Sequence, residues 1–203
     1  MTILRRLAGF SGRSVLFIGL VALAGCANMY VDGNTREIRS SAFLKPNPTH
    51  PVQVIFEFQT KGVANAPATE FLKAKVIGQI KDSGLFDEVS ETPATGGALL
   101  SVTLNNIPIT DDAFSKGFVT GLTFGLAGSQ VTDGYVCTVR YLNGSANPAI
   151  VKQARHAIHT TLGASSEPPN ATKAANATEA VTMMTRDILS NVLNDLSHDP
   201  SFK

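Results

Sequence analysis

His156 and His159 stand three residues apart in the stretch "RHAIHTT", Arg155 to Thr161. On a helix that spacing would put both imidazoles on one face, where they could begin a metal site. The flanking residues argue for a different element. In "AIVKQARHAIHTTLG", His156, Ile158, Thr160 and Leu162 alternate with their neighbours, which is the period of a strand. On a strand the two rings face opposite sides, and each is expected to be solvated or hydrogen-bonded. No further Cys or His cluster supports a metal, so none is expected. Asp111 and Asp112 offer two carboxylates, but they are adjacent at the end of a strand and fit a solvated turn, with no acid–base partner at useful spacing. The glycines of "GLTFGLAGS" lack the Lys-Ser/Thr ending and the spacing of a phosphate-binding loop. Ser129 and Ser145 lack a nucleophile-elbow context. Cys137 sits in "YVCTV" and reads as a small buried strand residue. These residues predict no enzyme.

The side chain whose surroundings do specify chemistry is Cys26. Arg5, Arg6 and Arg13 make a basic start, followed by the uncharged apolar run Val15 to Gly25. That run is about half of what a bilayer-spanning helix needs. A basic start, a short apolar run and small residues before a cut site describe a signal peptide. Leu23, Ala24, Gly25 and Cys26 resemble the lipobox of bacterial lipoproteins. The resemblance implies that residues 1–25 are removed and that Cys26 is acylated, palmitate included, as the first residue of the mature chain. One acyl chain binds a membrane marginally and two or more hold it stably, so the chain would be anchored to a membrane without spanning it. Ala27 follows the cysteine where an Asp would retain a Gram-negative lipoprotein at the inner membrane. The resemblance therefore implies the periplasmic face of the outer membrane for a Gram-negative source. The flanks of Arg5-Arg6 fit twin-arginine export poorly, which leaves the general secretory route. Covalent lipid is the one prosthetic group expected, and no cofactor is.

A second feature is the run "KGFVTGLTFGLAGSQVTDGY" from Lys116 to Tyr135, within a glycine-rich apolar segment at 114–133. No charge stands between Lys116 and Asp133. Gly117, Gly121 and Gly125 fall four residues apart, and Phe118, Leu122, Phe124 and Leu126 supply the bulk. As a helix the glycines would form a smooth seam for another backbone. The 16 uncharged residues would then be about 24 Å long, short for a bilayer core. As a strand, Phe118, Leu122, Phe124 and Leu126 would line one face, with small residues dominating the other and "YVCTVRY" as the return strand. Arg140 in that return strand argues against an exclusively lipid-facing hairpin. Three readings stand: a connector loop, a protein-packing seam and a membrane contact.

These features need a domain to carry them. Removing residues 1–25 takes three of the 17 Lys and Arg and none of the 16 Asp and Glu, leaving 14 basic against 16 acidic groups. That balance gives no basic stripe for nucleic acid. With Cys26 acylated, Cys137 has no partner for an internal disulfide. Residues 26–50 show no sustained period and read as the lipidated N-terminus and a tether. The folded domain is expected over 51–203, which is ample for one core.

Within it, Val52 to Gln59 alternates as a strand. Pro67 and Gly84 bracket a helix whose stripe is Leu72, Val76 and Ile80, joined by Phe71 and Ile77. "LFDEVSE", "ALLSVTLNNIPI", "GYVCTVRYLN" and "AIVKQARHAIHTTLG" read as four further strands. A last helix carries the stripe Ala177, Val181, Met184, Ile188, Val192 and Leu196. The order is β-α-β-β-β-β-α: an α/β (α+β) domain with a mixed sheet of about five strands and two helices on one face. This order, with "SGLFDEV" before an alternating strand, resembles the small domain of TolB-N-like and CsgG-like periplasmic lipoproteins. The resemblance implies a non-catalytic accessory or scaffold subunit of a cell-envelope assembly, with an envelope protein as partner or a homo-oligomer. It leaves open a ring- or pore-forming lipoprotein that uses region 117–142 as a packed or inserted hairpin.

Overall fold

The computed structural model describes residues 27–93, 97–109, 130–144, 148–162 and 166–202. Among them are two helices and eight strands. The strands are β1 (Asn28–Val31), β2 (Val52–Thr60), β3 (Val63–Ala64), β4 (Val89–Ser90), β5 (Ala98–Pro108), β6 (Gln130–Leu142), β7 (Ile150–Thr161) and β8 (Thr172–Ala174). The helices are α1 (Ala66–Ser83) and α2 (Ala177–Ser197). All eight strands form one sheet in the order β3-β2-β5-β6-β7-β1-β8, with β4 beside β2. The pairs β2–β5 and β2–β4 are parallel and the rest antiparallel, so the sheet is mixed, as expected.

The predicted count of about five strands is too low. The three that escaped, β1, β3 and β8, are two to four residues long. Alternation over so short a run carries no readable period.

Alternation does place the core. On β2, Val52, Val54, Phe56 and Phe58 are buried while Ile55 between them is exposed. On β6 the buried set is Tyr135, Cys137, Val139 and Tyr141. These rows share one hydrophobic cluster with the stripes of both helices, so α1 and α2 cover one face. Leu72, Val76, Ile77 and Ile80 are buried on α1 as predicted. Phe71 is not: it stays exposed, with the Lys75 ammonium 4.3 Å from its ring centre. On α2, Met184, Ile188, Val192 and Leu196 are buried, each worth about 1.5–3 kcal/mol relative to exposure.

The helix ends follow local chemistry. Asn65 accepts the Ala68 amide at 3.1 Å to cap α1, and Gly84 ends it in the left-handed region at φ 66°. Asn176 caps α2 by accepting the Glu179 amide at 2.9 Å, and the Glu179 carboxylate reaches back to the Ala175 amide at 2.6 Å.

The largest correction concerns residues 26–50, expected to be a tether. The described part of this segment belongs to the domain from Asn28 onward. β1 is inserted between β7 and β8, with Val31 opposite Ile158 on one side and Thr172 on the other. The chain then runs along α2. The Ile38 amide donates to Ser190 Oγ at 2.8 Å, the Leu44 amide to Ser197 Oγ at 3.1 Å, and Asn191 Nδ2 to the Arg36 carbonyl at 2.7 Å. Phe43 is buried. Most of these attachments are backbone groups held by small hydroxyls and amides, which leave no hydrophobic period to read.

The register also fixes which chain ends lie together. Asn28 is opposite Thr161, and Thr161 is opposite Gln130. Pro108 is opposite Asp133, and Thr60 is opposite Asn106. One end of the sheet therefore holds the start of β1, the end of β7, and the points where the chain leaves β5 and enters β6.

Candidate functional site

The two histidines singled out in the sequence do lie on a strand and do face opposite sides. Both are buried, at 0% and 1% exposure for His156 and His159, so the solvated alternative does not apply to either.

His159 stands opposite Tyr30 of β1 and opposite Thr132 of β6. One residue past β1, the Asp32 amide donates to the Ala157 carbonyl at 3.1 Å, continuing the ladder and turning the carboxylate toward the ring. His159 Nε2 lies 3.2 Å from Asp32 Oδ2, and Nδ1 lies 3.0 Å from Thr132 Oγ1. The Asn34 amide donates to the other carboxylate oxygen at 2.8 Å. A carboxylate can only accept, so Nε2 carries a proton and donates to Asp32. Burial pushes the Asp32 carboxyl up. The His159 hydrogen bond, the Asn34 amide and the two nearby imidazoles outweigh that and hold it below the usual 3.8.

A hydroxyl, an imidazole and a carboxylate in sequence are the parts of a nucleophile relay. Here the ring and the carboxylate are both sealed from solvent, at 1% and 2% exposure. A relay needs its hydroxyl beside space for a substrate and beside donors for the developing oxyanion. The arrangement ties three strands together across the sheet, with both ring nitrogens paired.

His156 faces the helices. Its Nδ1 accepts the Ala157 amide at 2.8 Å, while Nε2 stands 3.5 Å from Asp187 Oδ2 and makes no hydrogen bond. The two rings thus project to opposite faces and share no ligand position. Cys137 is fully buried, and burial pushes its thiol up to about 12, which keeps it protonated and inert.

Clefts lie away from this cluster. One of about 390 Å³ runs between the helices, over Ala74 and Gly78 and beside the Glu37–Arg186 ion pair. Another, about 570 Å³, lies at the opposite end of the sheet from Asn28, beside Tyr141, Ile150 and Asp199.

Of the residues predicted to carry function, Ala27 is described, exposed and directly before β1. Leu23, Ala24, Gly25 and Cys26 lie outside the described residues, as do Gly117, Phe118, Gly121, Leu122, Phe124, Gly125 and Leu126. Asp111, Asp112, Ser129 and Ser145 also lie outside them. Sequence reasoning missed Asp32 and Thr132. Their one signal is Asp32 in the turn-like "DGN" directly after the short apolar "MYV". Among the described residues no helix is long and apolar enough to cross a membrane.

No protein family matches the chain, and no curated protein matches it in sequence. Among solved structures it is similar to a dodecameric PelC variant from Paraburkholderia phytofirmans. The identity is 14% and the TM-score 0.37, over 84% of this chain and 97% of that one.

Proposed function

We propose that the protein is a lipoprotein of the outer membrane, held at its periplasmic face by acyl chains on Cys26, and that it serves there as a non-catalytic accessory or scaffold subunit of a cell-envelope assembly. The observation that carries this reading is the placing of "LAGC" directly ahead of a folded strand. The basic start, apolar run and lipobox supply the anchor, and one residue later the chain enters the sheet at Asn28. The non-catalytic part of the reading draws on the Asp32–His159–Thr132 cluster, whose groups are spent on holding strands together.

The test is acylation and partnership in one strain. Radiolabelled palmitate should enter the wild type and not Cys26→Ala, and crosslinking in intact cells should recover a defined envelope partner from the wild type. Equal labelling of both proteins would end the anchor reading. Labelling without a partner would end the scaffold reading and leave the anchor.

A ring- or pore-forming protein is the second reading, and one observation favours it. The uncharged run falls in the connection between β5 and β6, two adjacent antiparallel strands paired as far as Pro108 and Asp133. Beyond them the Ile109 amide donates to the Thr132 carbonyl at 3.1 Å. The run is therefore flanked by a hairpin stem that finishes at the same end of the sheet as Ala27. Light scattering of the purified lipoprotein separates the readings: a closed oligomer supports the ring, and a monomer supports the accessory subunit.

A further inference from the structure

We infer that the end of the sheet bearing Ala27, Val131 and Leu162 rests directly on the lipid surface, so that the domain has a fixed orientation on the membrane. The inference rests on the anchor at Cys26 proposed above, and goes beyond it by naming the surface that meets the bilayer.

The length of free chain decides the matter. A 24-residue tether over 27–50 would hold the domain on a coil of about 25–30 Å, free to tumble. The structure removes that tether, because β1 begins at Asn28. Only Ala27 separates the acylated residue from the sheet, a reach of at most about 7 Å from Cys26 to Asn28. Nor can β1 peel away to lengthen the leash. It pairs on both edges, with β7 and β8, and the buried Asp32–His159 contact closes its far end.

What stands at that end suits lipid. Val131 and Leu162 are bulky, apolar and half-exposed, at 56% and 49%. They are close neighbours, since Val131 is opposite Thr160, two residues before Leu162. Val63, 69% exposed, is at the same end across the sheet, next to Lys61 at the tip of the β2–β3 turn. Asp133 and Glu179 are there too, so the surface is not basic. Apolar contact, not anionic lipid, is what these residues offer, and a zwitterionic bilayer should suffice.

The chain has no Trp, so one introduced Trp is a single reporter. Val131→Trp, Leu162→Trp and Val151→Trp each replace an exposed valine or leucine, the last toward the opposite end of the sheet. Each mature lipoprotein is reconstituted into phosphatidylcholine vesicles with and without brominated acyl chains, and its acyl mass is read by intact mass spectrometry. The expected result is quenching several-fold stronger at 131 and 162 than at 151. A correct acyl mass with equal, weak quenching at all three sites would overturn the orientation and leave the anchor standing. A mass without acyl additions would overturn the anchor and the orientation with it.

Discussion

Asp32 and His159 meet at 3.2 Å, both sealed from solvent, although 127 residues separate them in the chain. The contact joins the residue that follows the first strand to the middle of the sheet. It converts what looks in sequence like a loose leader into the sixth strand of an ordered sheet.

Removing that carboxylate should loosen the N-terminal strand. Asp32→Ala removes the carboxylate that accepts from His159 Nε2 and from the Asn34 amide, a loss of about 1–3 kcal/mol for buried polar contacts. Chemical denaturation should show a lower midpoint with an unchanged slope. A midpoint equal to wild type would mean the pair contributes nothing to holding β1.

The same carboxylate sets an acid limb. Its folded pKa lies below the unfolded 3.8, so the folded state binds the proton less readily. The stability it supplies is present above 3.8 and drains away as the pH falls through the lower, folded value. The melting-temperature gap between wild type and Asp32→Asn should therefore narrow as the pH falls below 3.8. Asp199, held low by Lys152, is common to both proteins and cancels in the difference. A gap that widens below 3.8 would contradict the assignment.

Gly33→Ala should be costly for a separate reason. A Cβ there would lie 1.7 Å from the Asn170 carbonyl oxygen, a backbone atom that can move only with its loop. Overpacking of this kind costs about 1–3 kcal/mol. Thermal melting within error of wild type would show that the two turns do not touch.

Ile188 tests the helical layer. It is completely buried on α2, and Ile188→Ala should cost about 2–5 kcal/mol by leaving a cavity. An exposed change on the same domain, Ile55→Ala, should cost far less. Equal effects at the two sites would mean α2 is not docked through this face.

The strong periods are legible in the sequence. Val52–Phe58, the Leu72–Ile80 stripe and the Met184–Leu196 stripe all bury the residues that alternation or helical spacing selects, because one face of each element meets one core. Phe71 breaks the pattern because it sits at the rim of its stripe, where a cation can cover it. β1 and β8 are illegible for the opposite reason: strands of three or four residues draw their stability from backbone pairing, which carries no side-chain period. The histidine cluster is half legible. Strand alternation separates His156 from His159, but nothing in the sequence pairs His159 with a residue more than a hundred positions earlier.

That the N-terminal strand is part of the sheet is the central claim, and hydrogen–deuterium exchange of the mature lipoprotein in vesicles tests it most directly. Peptides spanning residues 27–32 should be protected to the same degree as those from the inner strand β7, since β1 is paired on both edges. Exchange of 27–32 at the rate of an unstructured chain, with β7 still protected, would contradict the claim: the segment would be a tether and the domain would hang free of the membrane.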